Sequence, residues 1–129
     1  MTSPQSTPGP RARGAGAAAT PVVAAEPPSD AQVTAAVSSF ALLAEPTRVR
    51  MLWALRDAQL DVATLAAAAG CRPTVASQHL AKLRLGGLVE GRREGQRVVY
   101  RLCGGHVRTL LTEALFHADH QVSGAATHD

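Results

Sequence analysis

One change of period constrains this chain more than any other feature. From Pro73 to Leu85 the apolar residues Val75, Leu80 and Leu83 suit one buried helical face, and Gly86-Gly87 ends the pattern. Directly afterwards, Leu88–Glu94 and Arg97–Leu102 read as two short strands about a Gly95-Gln96 turn, with basic residues on both arms. A helix is therefore followed at once by a basic β-hairpin.

Three more helices are predicted upstream. Asp30 is read as the N-cap of a first helix over about 31–43, where Val33, Val37, Phe40 and Leu43 recur at helical spacing. Pro46 suits the first turn of a second helix, with Val49, Leu52, Trp53 and Leu55 on its apolar face. Asp61 caps a short alanine-rich third helix that Gly70 ends. Beyond the hairpin, a last helix over about 105–122 carries Val107, Leu110, Leu111, Ala114, Leu115, Ala118 and Val122 on one stripe. The order α-α-α-α-β-β-α is that of a winged helix-turn-helix, mainly α with a small β-hairpin. Residues 1–29, rich in Pro, Ala, Gly, Ser and Thr and without an aromatic residue, are expected to be a disordered arm. Residues 30–122 then form the domain with its C-terminal dimerisation helix, and 123–129 a flexible tail.

Charge singles out one stretch. Residues 72–101 hold seven basic residues against two acidic, although the whole chain carries only +3. Six of the seven are arginine, which suits bidentate contacts to phosphate and guanine, so the stretch reads as a footprint for nucleic acid. With Val75, Leu80 and Leu83 facing inward, Thr74, Ser77, Gln78 and Lys82 are the candidates for a major groove. Arg92, Arg93 and Arg97 on the hairpin are assigned to flanking phosphates or a minor groove, and Arg72 to a further backbone contact.

The last helix holds a second constellation. His106 and His117 lie within roughly 20° of one face but about 16 Å apart along the axis, so one ion cannot touch both. His117 and His120 are neighbours at i,i+3 and can share an ion. A third donor such as His106 must come from another chain, which two antiparallel copies of the helix in a homodimer provide. The bland alternative is that these imidazoles favour the helix C-terminus and face water.

Several of these stretches occur together in a known family. Leu43-Ala-Glu-Pro-Thr-Arg-Val-Arg-Met-Leu52, Ser77-Gln-His-Leu-Ala-Lys-Leu83, Gly87-Leu-Val89 and the wing from Arg92 to Tyr100 resemble the ArsR/SmtB family of bacterial metal-responsive repressors. The resemblance spans about residues 31–122 and implies a winged helix-turn-helix homodimer on double-stranded operator DNA, with His79 a packing or DNA-proximal residue. It also implies a metal site on the last helix, of the form D-x-H-x10-H-x2-H, which His106, His117 and His120 match. Gly104 stands where that pattern has its aspartate. Cys103 is the first choice of fourth donor, with His128, Glu113 and water as alternatives. Zinc suits such a four-ligand set, and extra donors favour nickel or cobalt. The cysteine site that other members carry in the third helix has no counterpart in Leu60-Asp-Val-Ala63.

Competing inputs and classes remain. Cys103 or Cys71 is a thiol on which a redox input to the same repressor could act. A small metalloenzyme is disfavoured, because His117-Ala-Asp-His120 lacks the H-E-x-x-H arrangement and no nucleophile–base set is visible. Two cysteines are too few for a disulfide scaffold, and Pro21 and Pro27-Pro28 interrupt the one Ala/Val stretch that could suggest a leader. The expectation is a cytoplasmic protein without a membrane partner.

Overall fold

The computed structural model describes residues 26–128, with side chains through Gly124. Most of the expected N-terminal arm, up to residue 25, lies outside the described residues, as does Asp129. The helices are α1 (Asp30–Leu43), α2 (Pro46–Ala54), α3 (Val62–Ala69), α4 (Pro73–Leu85) and α5 (Gly104–His128). The strands are β1 (Leu60–Asp61), β2 (Val89–Glu94) and β3 (Arg97–Leu102). The chain divides within α1, and the unit from Val37 onward holds the core.

Local chemistry sets the helix ends. Ser29, not Asp30, caps α1: its Oγ accepts from the Gln32 N–H at 3.1 Å while Gln32 Oε1 accepts from the Ser29 N–H at 2.9 Å. This reciprocal capping box satisfies two backbone donors, which a lone aspartate one residue later does not. Glu45 caps α2 with Pro46 in the first turn, and Asp61 caps α3 by accepting from the Thr64 N–H. Gly70 closes α3 at φ 71°, a left-handed conformation that a side chain would strain.

Four helices and the sheet share one core. Met51, Leu52 and Leu55 from α2 and its end meet Leu65, Ala66 and Ala69 of α3, Ala76, Leu80 and Leu83 of α4, Leu88 and Val89 at the start of β2, and Val107 and Leu111 of α5. Each fully buried leucine contributes roughly 1.5–3 kcal/mol by leaving water. No polar or charged side chain is buried among the described residues. By contrast, α1 buries none of its residues: Val37 and Phe40 are 58% and 56% exposed.

Two features differ from the sequence reading. The hairpin gains a third strand, because Leu60 and Asp61 pair antiparallel with Tyr100 and Val99 to give the order β1-β3-β2. Two residues are too few to show alternation, so only the tertiary pairing reveals them. The last helix also continues to His128, where a flexible tail was expected from residue 123. Ser123-Gly-Ala-Ala-Thr127 contains no proline, and a single glycine costs about 1 kcal/mol, too little to stop a long helix.

Candidate functional site

The exposed face of α4 carries the candidate reading residues. Ala76, Leu80 and Leu83 are buried and Val75 is half-buried, which turns Thr74, Ser77, Gln78 and Lys82 outward. At about 100° per residue these four fall within an arc of roughly 140°, the width of a helix face that can enter a groove. Leu85 lies on the same face and is 88% exposed. Arg72 is the N-cap residue of α4, exposed and making no side-chain cap, so its guanidinium is not committed to the helix end.

Wing arginines are less alike than the sequence suggests. Arg92 donates to Gln59 Oε1 at 3.1 Å and to Glu94. Arg97 bridges to Asp61 Oδ2 at 3.0 Å, and Arg101 to Glu90 Oε1 at 3.1 Å. Bonds to the β1 region thus tie the wing to the loop ahead of α3. Asp61 is the pivot: the backbone N–H of Thr64, then the Thr64 hydroxyl and Arg97, hold its carboxyl below the usual aspartate range. Arg93 faces away from this set, directly across from Val98, and makes no ion pair among the described residues.

Behind α4 lies a polar cluster. Arg48 Nε donates to His79 Nδ1 at 3.0 Å, and Arg48 Nη1 donates to the Leu42 carbonyl at 3.2 Å. His79 Nε2 stands 3.9 Å from Glu45 Oε2. The backbone N–H of Arg48 above all holds the Glu45 carboxyl below the usual glutamate range; burial opposes it, and the nearby His79 and Arg48 side chains add smaller effects in the lowering direction. His79 is half-buried and packs inward, as expected of it. The sequence reading assigned no part to Arg48, Glu45, Gln59 or Asp61 in holding the DNA-binding elements, although Glu-Pro-Thr-Arg carries the N-cap pattern that places the first two.

On α5, His106, His117 and His120 are all exposed. Among the described residues no three metal-ligating side chains converge. That agrees with the helix geometry, which separates His106 from the other pair within one chain. Phe116, 60% exposed, stands one turn before His120 with ring centroids 5.0 Å apart. Glu113 is exposed on the histidine face. Cys103, at the junction of β3 and α5, directs its Sγ at Glu90 Oε2, 3.7 Å away. Burial first, then Glu90, pushes this thiol up, which keeps it in the unreactive protonated form. Of the other fourth-donor candidates, the His128 side chain lies outside the described residues.

An uncovered apolar surface adjoins the histidines. Phe40, Leu43 and Ala44 face Leu110, Leu111 and Ala114 across an open groove of about 190 Å³. Leu111 itself is 4% exposed and belongs to the core, whereas Leu110 is 39% exposed on the surface. The stripe read from sequence therefore splits into a core half and a free half.

Comparison with known proteins fits this geometry. A helix-turn-helix domain model matches residues 43–92, from the end of α1 into β2. The HTH-type transcriptional regulator KmtR of Mycobacterium tuberculosis is 44% identical over 103 residues, covering 80% of this chain and 79% of the relative. The chain belongs to the ArsR/SmtB family. Another relative of this ArsR/SmtB protein, the HTH-type transcriptional regulator NmtR of Mycobacterium tuberculosis, is 43% identical over 94 residues, covering 72% of this chain and 78% of the relative. A homodimeric winged helix-turn-helix DNA-binding domain from Mycobacterium bovis, described as a possible ArsR-family regulator, superposes with TM-score 0.68 at 34% identity, covering 76% of this chain and 94% of that one. The ArsR/SmtB protein is thus a winged helix-turn-helix transcriptional regulator that binds DNA, and no helix among its described residues is long and apolar enough to cross a membrane.

Proposed function

We propose that this regulator is a homodimeric repressor that leaves its operator when a divalent transition metal binds His106, His117 and His120 between the α5 helices of two chains. The observation that carries the reading is the outward placement of all three imidazoles beside apolar surface that one chain leaves uncovered. The donor set fits the ion: imidazole suits zinc, nickel and cobalt alike, and three nitrogens leave a position for a further ligand. When bound, the metal supplies a cross-link between chains and displaces protons from its ligands. Zinc is the first assignment. For Cys103 to ligate, it must release Glu90 and lose a proton that burial and Glu90 both help to retain.

The protein's own residues divide the remaining work. Thr74, Ser77, Gln78 and Lys82 on α4 meet base edges and phosphates, Arg72 adds a backbone contact, and Arg92, Arg93 and Arg97 clamp phosphates from the wing. Because metal and DNA are linked, the ion must bind the low-affinity conformation more tightly, with a coupling of about 5–150-fold in typical cases. Titrating zinc, nickel and cobalt into a protein–operator complex tests the scheme. Wild-type protein is expected to release DNA, whereas His117→Ala keeps its metal-free affinity and no longer responds. Release of His117→Ala at the wild-type metal concentration would place the effector site elsewhere.

A further inference from the structure

Arg48 makes three contacts at the corner between α1 and α2. Its backbone N–H bonds to Glu45 Oε1 at 2.7 Å, its Nη1 reaches the carbonyl of Leu42 in the last turn of α1, and its Nε bonds to His79 Nδ1 in the middle of α4. The same end of α1 touches α4 again, since a Cβ on Gly86 would collide with Leu42 Cδ1. The helix that leaves Phe40 uncovered is thus linked to the helix that exposes Gln78 through the Arg48 side chain of α2, which donates one hydrogen bond to each, and by one close packing contact.

The chemistry of that bond is one-sided. A guanidinium N–H can only donate, so His79 Nδ1 must offer its lone pair and any proton on the neutral ring sits at Nε2, toward Glu45. A second proton has nowhere to go but Nδ1. It would set N–H against N–H beside Arg48 and draw the ring toward Glu45 instead. The ionisable groups facing the ring are Arg48 and Glu45, and Lys82 lies three residues further along α4.

We infer that the Arg48–His79 hydrogen bond is the contact that positions α4 for DNA, and that protonation of His79 breaks it and lowers operator affinity. His79 is a positioning residue, because it lies on the inner side of α4 and acts through the orientation of Ser77, Gln78 and Lys82. The inference rests on α4 being the reading helix. Its sign is diagnostic: acid adds positive charge to the protein and by itself strengthens attraction to phosphates. Only loss of an ordered contact turns the trend the other way.

The test uses full-length, metal-free protein in chelator and an operator duplex recovered by in vitro selection. Affinity is followed by anisotropy from about pH 8 to about pH 5, the range in which an imidazole changes charge. Wild-type affinity is expected to fall about tenfold toward acid, as fits the loss of one charge-assisted hydrogen bond. His79→Gln, whose amide oxygen accepts but does not titrate, is expected to show no fall, and His79→Leu to bind weakly at every pH. Should His79→Leu fail to fold in a thermal melt, the pH response of His79→Gln alone decides. An acid fall in His79→Gln parallel to wild type, or no fall in wild type, overturns the inference. Gln78→Ala separates the underlying reading: if it leaves sequence preference unchanged, α4 is not the reading helix, whereas altered preference with a failed pH test removes only the role given to His79.

Discussion

The fourth and fifth helices are built alike and behave differently. Each buries an apolar stripe in the same core and exposes a polar face carrying chemistry. On α4 the division is nearly complete within one chain: Ala76, Leu80 and Leu83 go in, the reading candidates Thr74, Ser77, Gln78 and Lys82 come out, and Leu85 in the last turn is the one large apolar residue left exposed. On α5 it is not, because Leu110, Phe116 and Val122 remain exposed with the histidines. A helix whose apolar stripe is covered along nearly its whole length needs no further surface, whereas one with several uncovered apolar residues beside metal-type donors needs a second one.

The sharpest way to break this contrast is to load charge on each half of the α5 stripe. Leu111→Asp is expected to abolish folding, since burying an unpaired carboxylate in place of a leucine exceeds the 2–5 kcal/mol that loss of a core leucine side chain costs, at about 5–15 kcal/mol of total stability. Leu110→Asp should keep the helical circular dichroism of wild type and lose self-association in sedimentation, together with the metal response. Equal unfolding in both variants would mean that the stripe has no free half.

A smaller effect separates residues within the DNA-binding region. Arg93→Ala is expected to reduce the magnitude of the salt slope of DNA binding by about one, because its guanidinium has no ion pair among the described residues to give up before meeting a phosphate. Arg92→Ala and Arg97→Ala should change the slope less, since each exchanges an existing bond to Gln59 and Glu94 or to Asp61 for one to phosphate. Identical slopes for the three variants would show that these internal pairs do not matter to the clamp.

The smallest effect concerns the tie between wing and α3. The Asp61 carboxyl lies below its unfolded value, so it adds stability that is present above the ordinary aspartate range and is lost as pH falls through the folded value. Asp61→Asn should therefore be less stable than wild type at neutral pH and lose less on acidification through that window. Urea titrations at neutral and acidic pH measure both. A constant gap between the two proteins across the window would remove Asp61 from the acid response.

Much of this was legible in the residues. The helices, the hairpin and its turn follow from period, proline and glycine, signals carried within a few residues of one another. So did the outward face of α4, because a 13-residue helix with a clear apolar side has little freedom in how it packs. Less was legible where the partner is distant in sequence. Asp61 reads as a cap, yet nothing near it indicates that Arg97 will be its ion pair. Arg48 reads as one more surface arginine until Leu42 and His79 are brought to it.

Sequence alone determined the helices and the hairpin, the basic stretch and the spacing that keeps His106 from sharing an ion with His117 in one chain, because each is a matter of local geometry along the backbone. Tertiary structure decided which apolar residues of α1 and α5 are core and which are surface, which wing arginines are already paired, and which proton acceptor His79 presents to Arg48. Those outcomes depend on contacts between segments tens of residues apart, whose closure the whole core stabilises and no local pattern encodes.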